Sequence, residues 1–474
     1  MNFEIIPWLS YAGQIGLQMC VTASFIYMLY RYRRDTLSLL FIFLCFPSAI
    51  SFYGIVAGNI YKVLSLAFCV YAFAKTKAYK TYRSHEVWIL LTFALFTIQF
   101  FVATLFYSSG NTATIIFSQY SRYIEALFLY FIVKSIVYKG QKDNLLKLFY
   151  EIGLIQIIIS VIKFLIFRTQ IEGLVGTMSL SGGAMGTTIP ILWFLILWLY
   201  RKGKFNKWDW LYVLGLLWVG FTTGKRAVMF ILPVIVFAFF VYVQGVHLKK
   251  YMIGALALVP LLFYFGVRLT PSLNPENKIW GSFDWDYAFG YAEEYQFGDK
   301  GIQGQMDELQ KSHDLQYSGG EFSSFQASQI KADGRGGATI ALLKLMFGGY
   351  KSIEQDWWGL GFKNMYGIDY ATFAKLPLTI QINHKGSATG FFQSYVSTGI
   401  YGALCTILFF FVLLLYTKNF RIKTILIAIC AWEYFMYTGM IFRTPIFMTI
   451  LFIMIHVTNV DMQYHRLVQR AQER

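Results

Sequence analysis

Apolar runs of about 17 to 25 residues recur along nearly the whole chain, and each is long enough to cross a hydrocarbon core roughly 30 Å thick as a helix. Strands and irregular backbone are excluded for such runs, because lipid offers no partner to an exposed N–H or C=O. With 57% hydrophobic and 14% charged residues over 474 positions, the chain is too apolar for a soluble multidomain protein. The expected fold is an all-α polytopic membrane protein of about 12–14 transmembrane helices with one large extracytoplasmic loop domain.

The short turns between the runs orient them. Arg31-Tyr32-Arg33-Arg34 follows the first run, about Tyr11–Tyr30. The second and third, about Leu37–Gly54 and Ile60–Ala74, close on Lys75, Lys77, Lys80 and Arg83. Lys139, Lys142 and Lys147 follow the fifth run, Arg201, Lys202, Lys204 and Lys207 the seventh, Lys249 and Lys250 the ninth. Lys418, Arg421 and Lys423 repeat the pattern near the end. Every second turn is therefore basic, as cytoplasmic turns are under the positive-inside rule. Turns such as Ser108-Ser109-Gly110-Asn111 and Arg168–Thr187 then lie outside. Most of the formal net charge of +16 sits in the basic turns and the C-terminal tail, so no basic domain remains to grip nucleic acid.

One long stretch breaks the apolar pattern. Leu269–Lys385 holds more than half of the 25 acidic residues and about a quarter of the 41 Lys and Arg, interleaved with Trp280, Trp285, Tyr287, Tyr295 and Tyr317. The alternation of turns delivers it to the outside after Arg268. Three regions follow: an N-terminal helix bundle over 1–268, an external loop domain over 269–387, and C-terminal helices with a short cytoplasmic tail over 388–474. Ala338–Phe347, between glycine pairs, reads as a short helix lying in the interface. Cys20, Cys45, Cys69, Cys405 and Cys430 all fall in apolar runs, so no disulfide framework is expected outside. The first run lacks a basic leader and a small-residue cleavage site, and should stay as a helix.

Chemistry is expected where the outer segment meets the membrane. Of the six histidines only His313 and His384 fall outside, and His384 stands just before an apolar run. Histidine there can take a proton from a sugar hydroxyl near neutral pH, or simply bond a loop carbonyl. Arg226, with Lys225 beside it, and Arg268 and Arg443 stand at outer span ends. Singly they are interfacial anchors; together their guanidiniums suit a pyrophosphate. Arg122 and Glu125 read as a pair within a span, with a substrate-lining role as the lesser alternative. Asp284-Trp285-Asp286 is a weak metal signal, and no other cluster has metal-ligand spacing.

Three stretches carry a resemblance. Thr223-Gly224-Lys225-Arg226-Ala227 looks like the Ser-Arg-Gly-type motif of the O-antigen ligase and polymerase superfamily. Gly359-Leu360-Gly361-Phe362 resembles the Gly-x-Gly that closes its large periplasmic loop. His384, followed by Gln393-Ser394-Tyr395-Val396-Ser397-Thr398-Gly399-Ile400-Tyr401-Gly402, resembles its His-Asn…Glu-Thr-Gly-x-x-Gly segment. The likeness covers about Leu211 to Phe410 in order.

Such proteins join glycans carried on undecaprenyl pyrophosphate, with neither metal nor cofactor. The resemblance implies that His384 activates the acceptor hydroxyl and that Arg226, with Arg268, holds the donor pyrophosphate. His384 stands a few residues further from Gly399 than in ligases, and Lys385 replaces their Asn or Ser, which favours a Wzy-like polysaccharide polymerase. Its partners would be lipid-linked donor and acceptor glycans in the bilayer of the bacterial inner membrane, with a chain-length regulator as a further candidate. Alternatives are an O-antigen ligase acting on lipid A-core, or a flippase or transporter. The last class needs no large external domain and often shows repeat halves, which are not evident here.

Overall fold

A computed structural model describes residues 11–51, 58–106, 120–167, 176–178, 185–222, 226–245, 357–358, 389–437 and 439–472. Their regular structure is all helix, with no strand among the described residues. The first half holds α1 (Tyr11–Arg31), α2 (Thr36–Cys45), α3 (Pro47–Ser51), α4 (Gly58–Thr76), α5 (Val87–Phe106), α6 (Ser121–Tyr138) and α7 (Lys142–Phe167). Then come α8 (Met185–Arg201), α9 (Lys207–Thr222) and α10 (Arg226–Ala238), the last continued by a wide π turn to Val243. The C-terminal part holds α11 (Gly390–Leu415), α12 (Phe420–Ala431) with a π turn Trp432–Met436, α13 (Met440–Arg443) and α14 (Pro445–Gln472). Of the segment 269–387, only Trp357 and Trp358 belong to the described residues.

Val87–Leu105, Lys142–Phe164, Ser397–Leu415 and Pro445–Tyr464 are long and apolar enough to cross a membrane, and Thr36–Cys45, Met185–Arg201 and Ile231–Val243 are shorter apolar helices. The outward faces fit lipid better than water. On α5, Phe96, Phe100 and Ala103 are buried while Leu90, Leu91, Leu95, Ile98 and Leu105 are exposed. Contiguous apolar exposure on this scale is foreign to a soluble monomer. Helices α8 and α14 form the centre: α8 is buried from Gly186 to Leu197, and α14 from Ile446 to Val457. A helix that is apolar all round belongs there. This is an all-α membrane protein.

Local chemistry sets the helix ends. Asp35 caps α2, accepting the Leu37 N–H at 3.1 Å and the Ser38 hydroxyl at 2.6 Å. Asn419 caps α12 by accepting from Arg421 and Ile422. The single run expected over Leu37–Gly54 is broken, because Pro47 disfavours helical geometry at the residue before it, and Phe46 leaves the helix at φ −121°, ψ 45°. The break strands the last carbonyls of α2. Thr177 takes the Cys45 oxygen at 2.9 Å, and the Tyr61 hydroxyl takes that of Phe43 at 3.4 Å.

Side chains tie the basic helix ends together. Lys142 pairs with Asp461, and Lys139 and Ser135 donate to the Thr76 carbonyl at 2.6 and 3.1 Å. Lys75 reaches Thr36 at 2.6 Å, and Arg421 reaches the Val243 carbonyl at 3.4 Å. The basic turns therefore gather at one end of the bundle, as alternating helices require. Just inside it, buried Lys134 lies 2.6 Å from both Glu86 oxygens and from the Thr81 carbonyl.

The turn Arg168–Thr187, expected outside, has its middle inside the bundle. Gln156, Ser160 and Lys163 form one polar face of α7. Gln156 exchanges hydrogen bonds with the Thr177 N–H (2.7 Å) and hydroxyl (2.6 Å). Ser160 accepts from Gly176 N–H at 3.0 Å, and Lys163 donates to its carbonyl at 2.7 Å. Gln156 lies about 16 Å below the end of α7 at 1.5 Å per residue. Non-helical backbone at that depth persists because side chains satisfy it.

Candidate functional site

At the end opposite the basic turns, α12 does not run out straight. It widens into the π turn Trp432–Met436, Tyr437 is extended, and Gly439 adopts φ +65° before the single turn of α13. Gly439 takes this left-handed conformation without the clash a Cβ would bring, and Pro445 then starts α14 as a helix-opening proline does. Each backbone group freed by the break needs a partner. Gly439 N–H donates to the Glu433 carbonyl and Gly390 N–H to the Tyr437 carbonyl, both at 2.8 Å. Thr389 caps α11, accepting from Phe392 N–H at 3.2 Å. The two glycine backbones touch so closely that a Cβ on Gly390 would stand 2.9 Å from Gly439 Cα.

Polar side chains converge on this break. Glu433 is wholly buried, and the Thr188 hydroxyl donates to it at 2.7 Å. Thr187 and Tyr437 share a hydroxyl–hydroxyl bond of 2.9 Å, and the Trp432 ring stacks on Tyr437 at 5.0 Å and 14°. The starts of α8 and α11 and the interruption between α12 and α14 thus meet around one carboxylate. Carboxylate, hydroxyls and a stacked aromatic platform are what a sugar's hydroxyls and apolar face require.

A second interruption lies in α11. Gly399 sits at φ 68°, ψ −171°, kinking the helix, and Gln99 of α5 donates to the freed Thr398 carbonyl at 2.8 Å. Below the kink, Tyr401 packs against Trp357 and Trp358, at centroid distances of 5.2 and 5.1 Å. That pair directly precedes Gly359-Leu360-Gly361.

Of the residues singled out in the sequence, Arg226 opens α10 and Arg443 closes α13; their side chains lie outside the described residues, as do Lys225, Arg268, His313, His384 and Asp284-Trp285-Asp286. The backbone sets Arg226 and Arg443 at one end. Phe239, at the far end of α10, packs on Phe194 and Trp198 of α8 at 5.8 and 5.0 Å. Arg226 lies about 20 Å up α10 from there, level with the start of α8, whose Thr187 and Thr188 hold the break that carries Arg443. His384 precedes Thr389 by five positions in the sequence. Arg122 and Glu125 form the expected pair, at 2.8 Å.

Glu433, Tyr437, Thr187 and Thr188 were not singled out from the sequence. The available signal was Glu433 itself, a carboxylate within an apolar run. Comparison with known protein families, with curated proteins and with solved structures finds no match to this chain.

Proposed function

We propose that the chain is a Wzy-like polysaccharide polymerase, an inverting glycosyltransferase of the bacterial inner membrane that joins glycan repeat units carried on undecaprenyl pyrophosphate. In this reading about 12–14 helices cross the bilayer, the basic ends face the cytoplasm, and 269–387 forms the external domain. The observation that carries it is the meeting of two helix starts and one helix interruption around buried Glu433 at the end that bears Arg226 and Arg443. Membrane helices keep such interruptions where they line a polar cavity.

His384 takes the proton of the acceptor hydroxyl as its oxygen attacks the anomeric carbon of the donor glycan. The bond from that carbon to the pyrophosphate oxygen breaks on the opposite face, which inverts the centre. Arg226, Arg268, Arg443 and Lys225 stabilise the charge gathering on the departing pyrophosphate. In this reading Glu433 and Thr188 hold sugar hydroxyls at the break. The growing chain passes to the non-reducing end of the incoming unit, and undecaprenyl pyrophosphate is released.

The test is the surface glycan of a deletion strain, with the gene restored as control. A core bearing a single repeat unit is the expected result. A core bearing none assigns the chain to the ligases or flippases instead, and an unchanged glycan ladder refutes the reading.

A further inference from the structure

A second polar assembly stands at the same end of the bundle, between α4 and α6. These helices run parallel. Their C-terminal ends meet where Ser135 donates to Thr76, and near their N-termini the Arg122 guanidinium lies 5.8 Å from the Tyr61 ring centroid. Tyr130 of α6 packs edge-on against Phe452 of α14 at 5.4 Å. Arg122 is about 12 Å above Tyr130 and Pro445 about 10 Å above Phe452, so this assembly is level with the break that carries Arg443.

Its charges are unevenly used. Arg122 donates one hydrogen bond, at 2.8 Å to Glu125 Oε2, out of the five N–H groups a guanidinium offers. Lys62 lies within electrostatic reach of both charges and forms no ion pair among the described residues. Glu125 is wholly buried, and its Oε1 has no hydrogen-bond partner. Ser65, also wholly buried, lies close enough to Glu125 to help hold its charge, though its hydroxyl stays beyond ordinary hydrogen-bond distance.

Buried oxygens of this kind are normally paired. A metal cation is a poor occupant, since two positive side chains face it. An anion alone suits Arg122, Lys62 and the N-terminal ends of two helices, and leaves Glu125 Oε1 unanswered. A phosphate with hydroxyls attached answers all of them: its oxygens meet Arg122 and Lys62, one of its hydroxyls donates to Glu125, and Ser65 donates to it.

We infer that Lys62, Ser65, Arg122 and Glu125 bind the phosphate-bearing, hydroxyl-rich head group of a lipid in the outer leaflet. Assigning that head group to the acceptor, the second lipid-linked glycan, rests on the polymerase reading; a glycerol phospholipid shares the chemistry. The donor pyrophosphate then belongs to Arg226 and its neighbours, and two phosphates occupy one face of the protein.

The experiment titrates purified full-length protein in detergent with undecaprenyl pyrophosphate bearing one N-acetylhexosamine, and separately with phosphatidylglycerol and phosphatidylcholine, counting bound lipids by intact-complex mass spectrometry. Wild type should take two of the sugar-bearing lipids, and K62Q and R226Q should each weaken one of them about tenfold or more. The double variant R122Q/E125Q should act like K62Q, and it leaves no buried carboxylate unpaired. Wild-type binding by K62Q and R122Q/E125Q overturns the inference, and the polymerase reading stands if R226Q still loses a lipid. Loss in K62Q without loss in R226Q upholds this site and removes the donor assignment. Displacement by phosphatidylglycerol at equal concentration overturns the acceptor assignment and identifies the occupant as bulk anionic lipid.

Discussion

Substituting Gly390 by alanine tests the contact that joins the start of α11 to the helix break. The added Cβ would lie 2.9 Å from Gly439 Cα and 3.2 Å from both Gly439 N and the Tyr434 carbonyl oxygen. All three are backbone atoms, so no side chain can swing away. Ordinary carbon contacts lie at about 3.5–4.0 Å, so the two segments must part by about 0.6–1 Å. Overpacking of this kind costs about 1–3 kcal/mol, which a protein of this size survives. The functional cost should be larger, because the displaced backbone leads directly into α13 and Arg443. A misplacement of about 1 Å in a catalytic arrangement can cost about 100-fold in rate. The variant is therefore expected in the membrane at near-normal level, with modestly lower thermal stability in detergent and a glycan ladder reduced to its shortest members. Gly16→Ala is the control, since a Cβ there meets nothing within 4 Å. Wild-type stability together with a wild-type ladder in Gly390→Ala would refute the reasoning, because the close approach and its link to the site would both be absent.

Other expectations follow from the same reading. His384→Ala should insert normally and abolish long chains, since general-base contributions run about 10²–10⁴-fold, while Arg226→Lys keeps the charge, loses the bidentate fork and leaves partial polymerisation. His313→Ala is the control for that pair, and wild-type chain lengths in His384→Ala would return His384 to a plain interfacial role. A cysteine replacing Ser318 should react with an impermeant thiol reagent in intact spheroplasts; labelling only after lysis would reverse the topology and move the site to the cytoplasm. Glu86→Ala should cost about 3–5 kcal/mol in denaturation, because it leaves the Lys134 ammonium buried without its carboxylate, whereas replacing both by apolar residues should be near neutral. Equal stabilities for the single and double variants would show that the pair is not buried in the membrane-embedded protein.

Some features were legible because their cause is local. The runs that became α5, α7, α11 and α14 announce themselves, since a helix in lipid must be both long and apolar. Arg122 and Glu125 are three positions apart on one helix, so their pairing needs no knowledge of the fold. The end of a run was a poorer guide to the end of a helix. The last apolar run gives way to Thr458-Asn459, yet α14 continues to Gln472, and His456 lies buried with its ring 4.7 Å from that of Tyr130. Hydropathy marks where a helix leaves lipid, and the backbone is free to stay helical beyond that point.

By itself the sequence determined that this chain is helical and belongs in a membrane, and it marked which helix ends are basic, because composition and local charge settle those matters. The tertiary structure alone decided how its interruptions are used. Pro47, Gly399 and Gly439 each announce a possible break, but a break in a membrane helix survives only where distant groups take up the freed backbone. Those groups here are Thr177 for Cys45, Gln99 for Thr398, and Gly390 for Tyr437, separated in sequence by 132, 299 and 47 positions respectively. The same holds for Glu433 and Thr188, which no local pattern connects. Pairings across such distances depend on which helices pack together, and only the folded bundle specifies that.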